Sequence, residues 1–234
     1  MPTVEARLTD VDYVEVECKS ALNPVKNMGF AWSLNPYTGC EHRCAFCYVR
    51  AFELRADRPS DDRYGRTVRV KSNIAPVLRA ELSRRSWRGE MVVVGAATDP
   101  YQPAEGRFRL TRQCLAVMHE FSNPTSLITR GPMIVRDVDV LTALARRADV
   151  HITFSIPTVD DEVWRKTEPG TAHPRQLTHP LDAEAALHRH HFFDLVVDAF
   201  APEDPVRRRR ASTLCKAPLK KSTSRVLSTS TRWS

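Results

Sequence analysis

Short apolar runs separated by helical patterns limit the folds open to this chain. Glu90-Met91-Val92-Val93-Val94-Gly95-Ala96-Ala97 is continuously apolar after its first residue, the pattern of a strand buried on both faces. Ser126-Leu127-Ile128-Thr129 and His151-Ile152-Thr153-Phe154-Ser155-Ile156 read as the next strands, and Ala31 to Leu34 as an earlier one. Between them the apolar spacing becomes helical. Asn73 is placed to N-cap a helix carrying Ile74, Val77, Leu78 and Leu82. Thr111 to Phe121 turns Leu115 and Met118 inward, and Asp137 to Ala148 aligns Val138, Leu141 and Leu144. Tyr48 to Leu54 is also helical in spacing, whereas Arg58 to Arg66 is polar and reads as a loop. Strands alternating with helices predict an α/β fold with a parallel sheet. Polar residues collect just after the strands, where α/β barrels place their sites.

The 234 residues suffice for one domain with a proper core. Residues 1–30 read as a leader packed outside the domain, with turn signals at Asn23-Pro24 and Met28-Gly29. Residues 31–175 form the core, and 176–234 diverge from the pattern. That last stretch contains His188-Arg189-His190-His191, Arg207 to Arg210 and a Ser/Thr-rich end. It is expected to be a disordered basic tail, and it fits a truncation or a change of reading frame. Within it, Phe192, Phe193, Leu195, Val196 and Val197 have the makings of one more strand or short helix. The net charge of +7 concentrates there: residues 207–234 hold nine Lys or Arg and no acid, leaving 26 basic against 28 acidic residues elsewhere. A nucleic-acid partner is thus weakly supported and confined to the tail, which is equally consistent with a solvated segment. Met1 to Ser20 lacks the apolar stretch of a signal peptide, and no run is long enough for a membrane span. The expected location is the reducing cytoplasm.

Three of the six cysteines fall in Cys40-Glu41-His42-Arg43-Cys44-Ala45-Phe46-Cys47. Thiolates are soft ligands suited to zinc and iron–sulfur clusters. Three can hold three irons of a [4Fe–4S] cube, leaving the fourth iron open to a non-protein ligand. Other readings compete. The i, i+4, i+7 spacing also traces the apolar stripe of a helix. A structural zinc site recruiting His42 or a distant residue has the same ligand chemistry. A disulfide fits least, since three is odd and the compartment is reducing.

Cys-x3-Cys-x2-Cys with Phe46 before the last cysteine resembles the signature of radical S-adenosylmethionine (SAM) enzymes. The wider run from Ser33-Leu34-Asn35-Pro36-Tyr37-Thr38-Gly39-Cys40 to Cys47-Tyr48, and Thr98-Asp99-Pro100-Tyr101-Gln102-Pro103-x-Glu105, resemble the spore photoproduct lyase-like branch. The resemblance covers about the first three-quarters of the chain. It implies a partial (β/α)6 barrel, here truncated after about four βα units, with the cluster loop after the first strand. It also implies a [4Fe–4S] cluster on Cys40, Cys44 and Cys47. The open iron would bind SAM, and reductive cleavage would yield a 5′-deoxyadenosyl radical acting on an unknown substrate. A reductant such as flavodoxin or ferredoxin would supply the electron. The competing reading is a non-catalytic metal-binding protein, holding structural zinc or an inactive cluster.

By the same resemblance Phe46, Thr98 and Asp99 are candidate cofactor contacts; Thr129, Arg130 and Ser155 join them because they end the third and fourth strands, with an ordinary structural partner as the alternative for each. Phe46 falls where backbone groups meet the adenine. Arg130 has the fork to pair with a carboxylate, and Ser155 the hydroxyl to bond a ribose. Tyr48, Asp99 and Glu105 are the catalytic candidates. Asp99 has a structural alternative, capping backbone amides in a loop stiffened by two prolines. Arg136-Asp137 resembles a helix start, and Glu168-Pro169 is a further match of open role. Spore photoproduct lyases place a hydrogen-donating cysteine at the position matching Ala97, and tyrosines on both sides of the third cluster cysteine. Here Phe46 stands at one of those positions and Tyr48 at the other. Repair by that route is therefore not expected. Of the remaining thiols, Cys114 reads as helix core, Cys18 lies apart, and Cys215 and the histidines 188, 190 and 191 sit in the divergent tail.

Overall fold

A computed structural model describes residues 11–178 and the strand 193–196. The expectations for the histidine cluster, the arginine run, Cys215 and tail disorder lie outside the described residues. In chain order the strands are β1 (Asp12–Val16), β2 (Leu22–Pro24), β3 (Trp32–Leu34), β4 (Tyr37–Thr38), β5 (Thr67–Lys71), β6 (Val92–Val94), β7 (Thr125–Thr129), β8 (Val150–Ser155) and β9 (Phe193–Val196). The helices are α1 (Val49–Arg55), α2 (Ile74–Leu82), α3 (Pro103–Phe108), α4 (Leu110–Phe121), α5 (Val138–Ala145), α6 (Asp161–Thr167) and α7 (Pro174–Thr178). A 3-10 turn over Pro132–Asp137 leads into α5.

The main sheet has the order β2-β3-β6-β7-β8-β9. Every pair from β3 onward is parallel, and only β2 runs the other way. Each parallel strand lies beside the one before it, with helices in the crossovers. This is the winding of an α/β barrel, not of a doubly wound sheet whose order reverses. Among the described residues β2 and β9 end the sheet, so it is an open barrel segment. Leu34, Val94, Leu127 and Ile152 stand in one row across four strands, which brings the carboxyl ends out along one rim.

The core joins that row to α2, α4 and α5 through Ile74, Leu78, Leu115, Met118, Leu141 and Leu144, all buried. Each such side chain contributes about 1.5–3 kcal/mol relative to exposure. Cys114 is buried among them, as its helical position predicts. A second sheet, β1-β5-β4, draws the leader in: β1 pairs parallel with β5, and β2 joins the main sheet. Glu81 on α2 fastens this segment by accepting the Ala21 and Leu22 amides at 3.1 and 2.8 Å and the Ser20 hydroxyl at 2.6 Å.

Local details differ from the sequence reading. Asn73 precedes α2 but makes no side-chain cap; it instead exchanges hydrogen bonds with the Cys18 backbone at 2.8 and 3.0 Å. The apolar run at 90–97 pairs only over Val92–Val94. Gly95 ends it at φ +91, where a Cβ would run into the Ile128 carbonyl oxygen. Pro103 sits in the first turn of α3, so Glu105 is on a helix and not in a stiffened loop. The segment Phe193–Val196 is the fifth parallel strand. No helix among the described residues is long and apolar enough to cross a membrane.

Candidate functional site

The cysteine loop leaves the rim after β3. Asn35 Oδ1 accepts the Ala97 and Thr98 amides at 2.8 and 3.3 Å, stitching the exits of β3 and β6 together. Gly39, at φ +88, passes so close to the Thr67 carbonyl that a Cβ would collide with it. Residues 40–47 are irregular, and α1 begins only at Val49. The three thiols therefore do not form the apolar stripe of a helix. Cys40 and Cys44 are buried, Cys47 is partly exposed, and all are free thiols.

Distant segments hold the loop by its backbone. Gln102 accepts the Glu41 amide at 3.0 Å and donates to the Gly39 carbonyl at 3.2 Å. The Glu41 carboxylate accepts the Ala104 amide at 2.7 Å and the Tyr13 hydroxyl at 3.0 Å. Ala45 donates to the Thr167 carbonyl at 2.8 Å, and Gly170 donates to the His42 carbonyl at 3.2 Å. Arg50 on α1 donates to the carbonyls of Cys44, Arg43, Ser60 and Asp61 at 2.8–3.1 Å. Its guanidinium lies 4.3 Å from the Tyr64 ring centre, and the Tyr64 hydroxyl lies 3.4 Å from Cys47 Sγ.

The candidate polar residues do not form one cluster. Asp99 accepts the Tyr101 amide at 2.8 Å, the Thr129 hydroxyl at 2.7 Å and the Arg130 amide at 2.6 Å. Its Oδ2 is 3.4 Å from Nδ1 of buried His42, a ring nitrogen without a hydrogen-bond partner among the described residues. Thr98 donates to the Tyr37 carbonyl at 3.1 Å. Thr98, Asp99 and Thr129 thus brace the rim. Glu105 is fully buried in a network of its own, accepting from Tyr37 Oη at 2.5 Å, Arg136 at 2.7 Å and the Thr111 amide at 2.9 Å. Tyr48 is exposed; its hydroxyl donates to the Ala96 carbonyl and its ring meets Phe52 edge-on.

Arg130, at the end of β7, draws the other candidates together. Its Nη1 donates to Glu168 Oε2 at 2.6 Å and lies 3.6 Å from Cys44 Sγ. Nη2 donates to Ser155 Oγ at 3.1 Å, and the guanidinium carbon is 5.1 Å from the Phe46 ring centre. Sequence reasoning left the role of Glu168 open and missed Arg50, Tyr64 and Gln102 as site residues. Arg50 and Tyr64 act through irregular loop segments within about twenty residues of them, and Gln102 through backbone groups some sixty residues away, so spacing in the sequence marks none of these contacts.

Burial governs the charges here. It pushes the Cys40 thiol well up, with the Asp99 charge adding to it. It lifts Cys44 to about 12 against the opposing pull of Arg130. Burial likewise raises Glu168, countered by Arg130, and lowers His42, countered by Asp99. Metal coordination reverses this preference at a thiol, because the cation stabilises the thiolate. No three His, Cys, Asp or Glu side chains among the described residues are grouped to hold one metal ion. A single tetrahedral zinc needs its donors about 2.3 Å from one point, whereas a cube takes one thiolate per iron.

Residues 34–183 match the family model described as the radical SAM superfamily. An uncharacterised protein of Mycobacterium tuberculosis is 38% identical over 168 residues, covering 70% of this chain and 49% of that protein. An uncharacterised protein of Methanocaldococcus jannaschii is 23% identical over 159 residues, covering 68% of this chain and 57% of that one. The chain spans about half the length of the curated relatives it matches. Among solved structures, spore photoproduct lyase complexed with dinucleoside spore photoproduct matches with a TM-score of 0.63 at 14% identity, over 92% of this chain and 61% of that chain. A variant of that lyase with bound AdoMet and dinucleoside spore photoproduct gives 0.63 at 14% identity, over 92% and 62%. The fold is thus similar to that of spore photoproduct lyase.

Proposed function

The chain belongs to the radical SAM superfamily, and we propose on that premise that Cys40, Cys44 and Cys47 hold three irons of a [4Fe–4S] cluster whose fourth iron takes SAM. One observation carries the reading: three unbridged thiols share an irregular loop, fixed by its backbone, at the carboxyl rim of a parallel sheet. The residues fit the group, because two thiols are buried where only a cation makes their ionised form favourable. When bound, cluster and SAM supply one-electron cleavage of SAM to a 5′-deoxyadenosyl radical, while the protein supplies binding and orientation.

The protein's part follows from its contacts. Asp99, Thr98 and Thr129 hold the strand ends in register, so their task is positioning. Phe46 presents a partly exposed ring beside Arg130, suited to the flat face of an adenine. Arg130 and Ser155 are the candidates for carboxylate and hydroxyl groups of a ligand. Glu105 supports the rim from the core, and Tyr48 stands at the exposed side of the loop. The electron comes from a reductant such as flavodoxin or ferredoxin. The substrate is unassigned. A nucleic acid is consistent with the dinucleoside bound by the structural neighbour, but Ala97 has a methyl in place of a hydrogen-donating thiol, which argues against repair by that lyase's route. The core proposed to carry this chemistry is 31–175, between a leader and a divergent basic tail.

Anaerobic reconstitution with iron and sulfide, followed by EPR of the reduced protein with and without SAM, tests the reading. The expected result is a [4Fe–4S]+ signal that shifts on adding SAM. Replacing any of the three cysteines by Ala is expected to abolish cluster assembly, and one variant with full iron content would overturn the ligand assignment. Zinc in place of iron would establish the non-catalytic alternative, and so would a cluster indifferent to SAM.

A further inference from the structure

We propose that Arg130 and Glu168 act as a pair that sets the reduction potential of the cluster through the Cys44 sulfur, with Arg130 as hydrogen-bond donor and Glu168 as its opposing charge. This rests on the cluster assignment above. Arg130 Nη1 lies 3.6 Å from Cys44 Sγ while donating to Glu168 Oε2 at 2.6 Å. The fork is fixed on its other side by Ser155 at 3.1 Å, and Phe46 covers its face. The Arg130 and Glu168 side chains are 18% and 4% exposed, so solvent screens the pair little. Glu168 Oε1 is buried and has no hydrogen-bond partner among the described residues, so no second donor there offsets the carboxylate's charge. Glu168 also follows Thr167 directly, and the Thr167 carbonyl receives the Ala45 amide next to Cys44. Carboxylate and ligand loop are therefore tied to one short segment.

The physics gives each residue a sign. Reduction adds negative charge to cluster and thiolates. A donor and positive charge at a ligand sulfur stabilise the reduced form and raise the potential. A carboxylate beside that donor works the other way. Arg130 and Glu168 are thus positioning residues with opposite effects on one measurable quantity.

The test is an EPR-monitored redox titration of the full chain, reconstituted anaerobically, without substrate. Arg130→Met is expected to shift the midpoint potential to more negative values, and Arg130→Lys to shift it less. Glu168→Gln, isosteric and uncharged, is expected to shift it to more positive values. If Arg130→Met does not assemble a cluster, the sign of the Glu168→Gln shift decides. An intact cluster whose potential is unmoved by Glu168→Gln, or moved negatively, overturns the inference and leaves the cluster assignment standing. Absence of a [4Fe–4S] cluster from the unsubstituted protein overturns both. A merely structural role would change iron content or thermal stability without opposite shifts in potential.

Discussion

Gly170 donates its amide to the His42 carbonyl and leaves no room for a Cβ against the Glu41 carbonyl oxygen. Gly170→Ala is expected to cost about 1–3 kcal/mol in urea unfolding, because backbone must shift to admit the methyl. It is also expected to lower iron loading on reconstitution. A variant with unchanged stability and loading would mean that this contact does not hold the loop. Cys114 makes a pH-dependent case away from the proposed cluster ligands. Burial pushes its thiol far above the usual range, with the Glu105 charge second. A folded pKa above the unfolded one gives stability that is complete below the unfolded value, roughly 8.5, and is lost as pH rises beyond it. Above that pH the unfolding free energy of iron-free protein should fall more steeply than that of Cys114→Ala, by up to about 1.4 kcal/mol per pH unit. Comparing slopes removes the constant cavity cost, and parallel slopes would contradict the assignment. At this scale the three cysteines were legible because their spacing is local. Gly170 was not, since only the fold brings it to Glu41.

The strand β6 announces itself because burial on both faces makes it apolar, and β7 and β8 because apolar residues recur at alternate, buried positions. By contrast β1 and β5 form a side sheet, where exposed and buried positions mix and charged residues intervene. That blurs the pattern, and the sequence reading contains neither strand. Asn73 had the right place for a cap but a stronger partner in the Cys18 backbone. The helix α1 is tied to the cysteine loop by Arg50, whose donors reach four carbonyls in two segments, residues 43–44 and 60–61. Arg50→Ala is expected to cost on the order of 3 kcal/mol, from several charge-assisted bonds to partly buried carbonyls. Arg50→Lys should recover less than half of that, since an ammonium lacks the planar fork. Thermal unfolding of both variants provides the check, and full recovery by Lys would show that charge alone suffices.

Across the whole molecule, sequential parallel pairing from β3 to β9 follows from the alternation of strands and helices, and so does the location of polar residues along one rim. The way the rim's side chains engage one another was not legible. Asp99, Thr129 and Arg130 look alike as candidates until their hydrogen bonds separate braces from contacts. Charge separates as sharply, with nine basic residues and no acid in 207–234. Deleting those residues is expected to remove any low-salt retention on single-stranded DNA while iron loading stays unchanged. Retention that survives the deletion would point to a binding surface in the body. The clamps on the cysteine loop have a further consequence, for the order of events during synthesis. Its cysteines are made early, but Gln102, Thr167 and Gly170, which fix its shape, are made much later. A chain emerging from the ribosome carries three unprotected thiols on an unformed loop until residue 170 is clear. If the loop holds the proposed cluster, metal delivered before that point meets a flexible peptide, and faithful loading belongs to the completed core.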